Sequence, residues 1–161
     1  MARGALAPEP TGRTLVAVFA SPVADHLLHF ARDLGYRTVL VEPDLSLVSS
    51  SVHELASTVD PSFADGDCDV VVTDHDRPEL GAVLKKALET PARWIGVMGS
   101  KRHEAQHVPA LRTLGVADSD IARVRRPIGL NIGSRTPAEI AVSTLAGLIA
   151  DRNARPGGFV F

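Results

Sequence analysis

Short apolar runs alternate with segments of helical spacing along most of this chain, and this alternation constrains the fold more than any other feature. The runs at 14–20, 36–41, 69–73 and 93–98 are nearly continuous in apolar residues. Strands of that composition are typical of a parallel sheet that is buried on both faces. The sequence therefore predicts an α/β domain in three layers, with helices on both sides of a mostly parallel sheet.

Length and composition predict one domain with an adequate core. The chain has 161 residues, of which 45% are hydrophobic and 22% charged. We expect a loose tail at 1–13, the domain at 14–154, and a tail or short strand at 155–161. A net charge of -2 and only 4% aromatic residues argue against nucleic-acid binding.

No apolar run is long enough to cross a bilayer, and the first residues lack the apolar core of a signal peptide. Cys68 is the single cysteine, so an internal disulfide is excluded. We therefore predict a cytoplasmic protein without a membrane partner, and we interpret Cys68 as a small structural residue.

Further elements follow from local signals. Thr136, Pro137 and Glu139 predict a capped start of the last helix. A short helix is predicted at 53–58. Another is predicted from about Lys101, with a break or kink at Pro109.

The first strand-to-helix turn lacks the glycines of a dinucleotide-binding fold. Its six positions, 20–25, read ASPVAD where G-x-G-x-x-G is expected. Ser21 is predicted as the N-cap and Pro22 as the first helical residue, while Asp25 complements the helix dipole. Glu42 stands where a ribose-binding acid would be, but an exposed acid in a Glu-Pro-Asp turn is the favoured interpretation.

A different turn suits an anionic ligand better. After the strand at 93–98 come Gly99, Ser100, Lys101 and Arg102, which combine backbone N–H groups with two positive side chains. Because His75 and Asp76 also follow the carboxyl end of a strand, we expect them to face the same crevice. A histidine that caps the next helix is an equal alternative for His75.

Residues 103–107 also match H-E-x-x-H, a zinc-binding pattern on helices. In that alternative His103 and His107 bind zinc and Glu104 is the general base of a hydrolase. Pro109 and the strand-Gly-Ser-helix setting argue against it, so two polar histidines on an exposed face are favoured.

Several ordered motifs resemble one family. They are VVVTDHD at 70–76, WIGVMGSKR at 94–102, PIGLNIG at 127–133 and TPAEIA at 136–141. Together they resemble the C-terminal Rossmann-like domain of the XdhC/CoxI family, the accessory factors of xanthine dehydrogenase and related molybdenum hydroxylases. The resemblance covers about residues 14–153.

The resemblance implies a Rossmann-like fold and a role in handling molybdenum cofactor. It implies that this ligand, or a related phosphorylated nucleotide, lies near the anion turn, His75 and Asp76. The loop holding Gly129, Asn131 and Gly133 is a further candidate, against the alternative of a structural connection. The implied partner is a hydroxylase subunit, and a separate chain resembling the family's N-terminal domain would supply a half absent here.

Three alternatives stay open at this point. One is an NAD(P)-dependent oxidoreductase with a remodelled crevice, and another is the zinc hydrolase. The third is a partner-binding domain without a ligand. A binding role is favoured over catalysis, and the sequence leaves homo-oligomerisation open. Arg123, Arg125 and Arg126 are interpreted as a solvated basic face.

Overall fold

The structure is a computed structural model that describes residues 9–49, 52–99 and 105–161. Within these residues the chain forms six strands and five α-helices. The strands are β1 (Thr14–Val18), β2 (Arg37–Val41), β3 (Glu54–Ala56), β4 (Cys68–Val72), β5 (Trp94–Val97) and β6 (Val124–Arg125). The helices are α1 (Pro22–Asp33), α2 (Leu80–Leu88), α3 (His107–Thr113), α4 (Asp118–Ile121) and α5 (Pro137–Arg152).

All six strands pair in parallel in one sheet, in the order β3-β2-β1-β4-β5-β6. One face of the sheet packs against α1 and α5, which also contact each other. The opposite face packs against α2 and α3. This is the three-layer, Rossmann-like fold that the alternation of apolar runs predicts.

The strand order reverses between β1 and β4. The chain leaves β1 towards β2 on one side, and it leaves β4 towards β5 on the other. Ligands of open α/β sheets bind outside the carboxyl ends of the strands at such a reversal. The residues that follow β1, β2, β4 and β5 are therefore the candidates for a ligand site.

A buried acid, Asp69, links elements at the edge of the sheet where the strands begin. The Asp69 carboxylate in β4 accepts hydrogen bonds from Arg93 Nε at 2.8 Å and Arg152 Nε at 3.2 Å. Arg93 also donates to Asp151 at 2.9 Å. These contacts join β4 and the start of β5 to the end of α5, so they hold the amino-terminal edge of the sheet together.

Two predictions about local structure are wrong. Residues 54–56 form the edge strand β3 rather than a helix, because they pair with β2 and because Glu54 forms an ion pair with Arg37 at 2.6 Å. Pro109 does not break a helix, since α3 begins at His107 and places Pro109 in its first turn. A first-turn N–H has no intrahelical partner, so proline is tolerated there.

The capped start of α5 is confirmed. Thr136 Oγ1 accepts from the N–H of Glu139 at 3.2 Å, and Glu139 Oε2 accepts from the N–H of Thr136 at 3.3 Å. Residues 155–161 lie outside the helices and strands, and Phe159 and Phe161 are fully exposed. Across the described ranges, no helix has the length and apolar character needed to cross a membrane.

Candidate functional site

The crevice at the strand reversal is occupied by side chains of the protein itself. The Thr73 hydroxyl, just after β4, lies 2.9 Å from the carbonyl oxygen of Val18 and 3.0 Å from that of Phe19. It also lies 3.0 Å from the hydroxyl of Ser21. These contacts join the end of β4 to the end of β1 and to the first turn.

The first turn engages two of its N–H groups, those of Ala20 and Ala24, with side chains of the protein. Ser21 is the N-cap of α1, and its side chain accepts from the N–H of Ala24 at 3.1 Å. Pro22 follows at the first helical position and has no N–H to donate. Ala20 donates its N–H to Glu42 at 2.8 Å. The turn therefore has fewer N–H groups for a phosphate than a glycine turn has.

The tight turn itself is made by Phe19, one residue before the glycine window that the sequence suggests. Phe19 is fully buried and has a φ of 75°, in the left-handed region that side chains disfavour. Its N–H donates to the Val41 carbonyl at 2.8 Å, and the Arg77 guanidinium lies 4.4 Å from its ring centroid. Burial and this cation–π contact hold a conformation that glycine usually supplies.

Glu42 is buried, so the prediction of an exposed acid is wrong. Its side chain is fully inaccessible and accepts four hydrogen bonds, two of them from Arg77 at 2.8 and 3.1 Å. The others come from the N–H groups of Ala20 at 2.8 Å and Asp44 at 2.9 Å. These bonds use the acceptor sites of both oxygens, so a ribose hydroxyl would have to displace one of them.

The same contacts set the ionisation of Glu42. Burial acts to raise the pKa of this carboxyl group, but the hydrogen bonds from Arg77, Ala20 and Asp44 outweigh it. The net result is a pKa below the ordinary glutamate value. Glu42 is therefore a structural anion that joins the ends of β1, β2 and β4.

In the turn after β5, the positively charged side chain of Arg126 lies against Gly99. A Cβ on Gly99 would overlap Nε of Arg126 and would lie 2.8 Å from its Nη2. Arg126 is half-buried there, so its assignment to a solvated face is wrong, whereas Arg123 and Arg125 are exposed. Ser100, Lys101 and Arg102 lie outside the described residues, as does the predicted helix start at Lys101.

Two predicted site residues meet beside this turn. His75 Nδ1 lies 3.1 Å from the Met98 carbonyl oxygen, at the end of β5. Its Nε2 lies 3.6 Å from the carboxylate of Asp76, which also accepts from Gln106 Nε2 at 3.2 Å. His75, Asp76 and Gly99 thus lie at the carboxyl ends of β4 and β5, as the sequence suggests. Whether they bind a ligand stays a prediction.

His107, the second histidine of the zinc pattern, is buried at the start of α3 and is 6% exposed. The expectation of an exposed polar histidine is wrong at this position. Burial lowers the pKa of its imidazole, and the charge of Arg126 lowers it further. His103 and Glu104 lie outside the described residues, and the described part of the chain has no cluster of three or more metal-binding side chains.

The glycine-containing loop before α5 is anchored to that helix. Leu130 donates its N–H to the Ser143 carbonyl at 3.1 Å, and Ser143 Oγ donates to the Leu130 carbonyl at 2.7 Å. Gly129, with a φ of 86°, lies so close that a Cβ would be 2.5 Å from Ser143 Oγ. This favours a structural role for Gly129. Asn131 and Gly133 are exposed, and their ligand role stays a prediction.

The model of the XdhC Rossmann domain matches residues 15–148. The chain belongs to this family. The match covers β1 to most of α5, including both turns described above. The resemblance drawn from the motifs is therefore confirmed.

One protein sequence and one solved structure are similar to this XdhC Rossmann domain. An uncharacterized protein from Escherichia coli (strain K12), YqeB, is 43% identical over 77 residues, which are 48% of this chain and 14% of that protein. A crystal structure described as a xanthine dehydrogenase from Bacillus halodurans superposes with a TM-score of 0.64 and 23% identity, over 88% of this chain and 45% of the other. The XdhC domain thus spans less than half of either relative.

Proposed function

We propose that this XdhC Rossmann domain is an accessory protein of a molybdenum hydroxylase that binds molybdenum cofactor or a related phosphorylated nucleotide. The observation that carries the proposal is the family match over residues 15–148. The fold shared with a protein described as a xanthine dehydrogenase agrees with it. The role is binding and delivery to a partner enzyme rather than catalysis by this chain.

The geometry favours the turn after β5 as the place for the ligand's phosphate. Arg126 lies directly against the backbone of Gly99, so no side chain of that residue separates the guanidinium from the turn. A guanidinium forms paired, charge-assisted hydrogen bonds with phosphate oxygens. Lys101 and Arg102 add two positive charges within three residues of Gly99. These groups fit a phosphorylated ligand.

The first turn suits that phosphate less well. Its N–H groups at Ala20 and Ala24 already donate to Glu42 and Ser21, and Pro22 has none. Glu42, which would bind the ribose in a nicotinamide dinucleotide complex, holds Arg77 instead. Both observations favour the accessory role over an NAD(P)-dependent oxidoreductase.

The proposed role requires partner chains. Because the relatives are at least twice as long as the matched segment, they carry further parts that this chain does not match. We propose that the domain acts with a hydroxylase subunit and with a separate chain that resembles the family's N-terminal domain. The two would meet where the cofactor is handed over.

A binding experiment tests the phosphate site. Isothermal titration calorimetry with guanosine 5′-monophosphate and with pyrophosphate should detect binding to the full chain. The Arg126→Met variant and the Lys101→Ala/Arg102→Ala double variant should each bind at least tenfold more weakly. Lys85→Ala/Lys86→Ala, which removes two cations from the last turn of α2, is the control.

The phosphate site would be rejected if both variants bound guanosine 5′-monophosphate and pyrophosphate as tightly as the unmodified chain does. Thermal unfolding of each variant separates lost binding from lost folding. A chain that binds NADH in the micromolar range and neither probe would favour the oxidoreductase alternative instead.

A further inference from the structure

A cleft of about 370 Å³ lies where β5 begins, between the start of that strand, the residues around β6 and the end of α5. The phosphate site proposed above lies where β5 ends, so the cleft is at the opposite edge of the sheet. Its apolar lining includes the buried Ala92 and Ile95 and the half-buried ring of Trp94. The cleft is therefore a separate surface that the proposed function does not use.

The charged part of the lining is mainly positive. Three arginines line the cleft, Arg93, Arg123 and Arg125, together with one acid, Asp151. The acid is already engaged, because Asp151 Oδ2 accepts from Arg93 Nη1 at 2.9 Å. Donors thus exceed acceptors in this lining, so a ligand that fits it supplies acceptor oxygens and negative charge.

Each of the three guanidinium groups retains donors that the fold does not use fully. Arg93 Nη2 is buried without a hydrogen-bond partner, which costs free energy. Arg123 Nη1 has only long contacts, of 3.4 Å to a main-chain carbonyl oxygen and 3.6 Å to Asp120. Arg125 is exposed, and its side chain forms no hydrogen bond or ion pair with any residue that the structure describes. The fold therefore does not require the charge of Arg125.

Two of the arginines have the spacing of an extended chain. Arg123 and Arg125 are exposed on either side of Val124, which is buried. Alternate side chains of an extended backbone lie on one face, about 7 Å apart. An extended segment of another protein repeats its own side chains at the same distance. Carboxylates at alternate positions of such a segment can each form charge-assisted hydrogen bonds with one arginine.

A free phosphate group suits the cleft less well than separate carboxylates do. Phosphate sites in α/β folds use the N–H groups at the start of a helix. This cleft lies at helix ends instead, since Ala122 is the C-cap of α4 and Asp151 lies in the last turn of α5. The carbonyl groups there carry partial negative charge, which disfavours two charges on one group. Asp151 also occupies one nitrogen of the Arg93 guanidinium.

We propose that this cleft is a docking site for an extended acidic segment of a partner protein, with carboxylates at alternate positions against Arg123 and Arg125. Tryptophan and arginine are also the residues that most often carry the binding energy of protein interfaces, and Trp94 lies in the same lining. The inference does not rest on the phosphate site, because Arg126 is not part of this lining.

The test uses two short peptides with blocked ends and the full chain. Isothermal titration calorimetry should detect binding of AEAEAEA, whereas AQAQAQA should bind at least tenfold more weakly. Trp94 is the single tryptophan of the chain, so a change in its fluorescence locates the bound peptide in the cleft. The Arg123→Met/Arg125→Met variant should bind AEAEAEA at least tenfold more weakly. Lys85→Ala/Lys86→Ala removes the same charge from α2 and should bind as the unmodified chain does.

Three results would overturn the proposal. The first is that AEAEAEA does not bind the folded chain, or binds no more tightly than AQAQAQA. The second is that Arg123→Met/Arg125→Met, with its unfolding temperature unchanged, binds AEAEAEA as tightly as the unmodified chain does. The third is that pyrophosphate displaces the peptide and changes Trp94 fluorescence at a lower concentration than AEAEAEA does, which would assign the cleft to a small anion.

Discussion

The guanidinium of Arg77 holds the buried carboxylate of Glu42 through hydrogen bonds of 2.8 and 3.1 Å. This pair lies where the carboxyl ends of β1, β2 and β4 meet, the place at which a dinucleotide fold binds ribose. The same arginine stacks on the ring of Phe19, whose strained backbone makes the first turn. The ion pair of Arg77 with Glu42 thus stabilises the first turn. It also uses the carboxylate that would otherwise face the crevice.

Glu42→Gln should lower the free energy of unfolding by about 3 kcal/mol, the lower end of the range for breaking a buried ion pair. The lower end applies because Arg77 keeps a second partner, Glu79, at 3.2 Å. Urea unfolding followed by circular dichroism measures the change. The matched control is Glu79→Gln, which removes the more exposed partner of the same arginine and should cost under about 1 kcal/mol. Equal losses in the two variants would contradict the central role of Glu42.

The loss of stability at acid pH should depend on Glu42. Its pKa in the folded protein is below the ordinary glutamate value, so its contribution to the free energy of unfolding is fully present above that ordinary value and is lost as pH falls through the folded pKa. Urea unfolding at a series of pH values between 5 and 3 should therefore show a steep loss of stability. In Glu42→Gln this part of the loss should be missing, and an unchanged slope would show that other carboxylates account for it.

Gly96→Ala should destabilise the protein by about 1–3 kcal/mol, as overpacking does in a well-packed core. A Cβ at this position would overlap the ring of Trp94 and would lie 2.8 Å from Cγ2 of Ile128. Gly66→Ala is the control, because a Cβ there meets nothing within 4 Å. Thermal unfolding compares the two. A Gly96→Ala variant as stable as Gly66→Ala would mean that Trp94 and Ile128 do not cover the strand.

Cys68 should be unreactive in the folded protein. Burial raises the pKa of its thiol to about 12, and the neighbouring Asp69 carboxylate adds to the effect. A disulfide reagent such as Ellman's reagent at pH 8 should therefore label it only after unfolding in guanidinium chloride. Fast labelling of the native chain would contradict the structural role that we assign to this residue.

Particular residues show what the sequence could predict. The apolar runs predicted β1, β2, β4 and β5 to within two residues, because buried parallel strands need little else. The capping signal at Thr136 located the start of α5, because Thr136 is the N-cap and Pro137 is the first helical residue. By contrast, β3 has three residues with no apolar run, so only its pairing with β2 identifies it.

The site was harder to predict for a physical reason. The burial of Glu42 depends on Arg77, which lies 35 residues further along the chain. The position of Arg126 against Gly99 likewise depends on how the loop after β6 crosses the end of β5. Neither contact leaves a local pattern of residues. The positions of His75 and Asp76 were predictable, because a side chain that follows a parallel strand lies at the carboxyl edge of the sheet.

The most direct test of the accessory role is the identity of the small molecule that the protein retains. The full chain is expressed in a host that makes molybdenum cofactor, purified without added ligand, denatured, and its extract analysed by mass spectrometry. Our account predicts a phosphorylated pterin, and its amount should fall in Arg126→Met but not in Lys85→Ala/Lys86→Ala. A nicotinamide dinucleotide in place of the pterin would contradict the account.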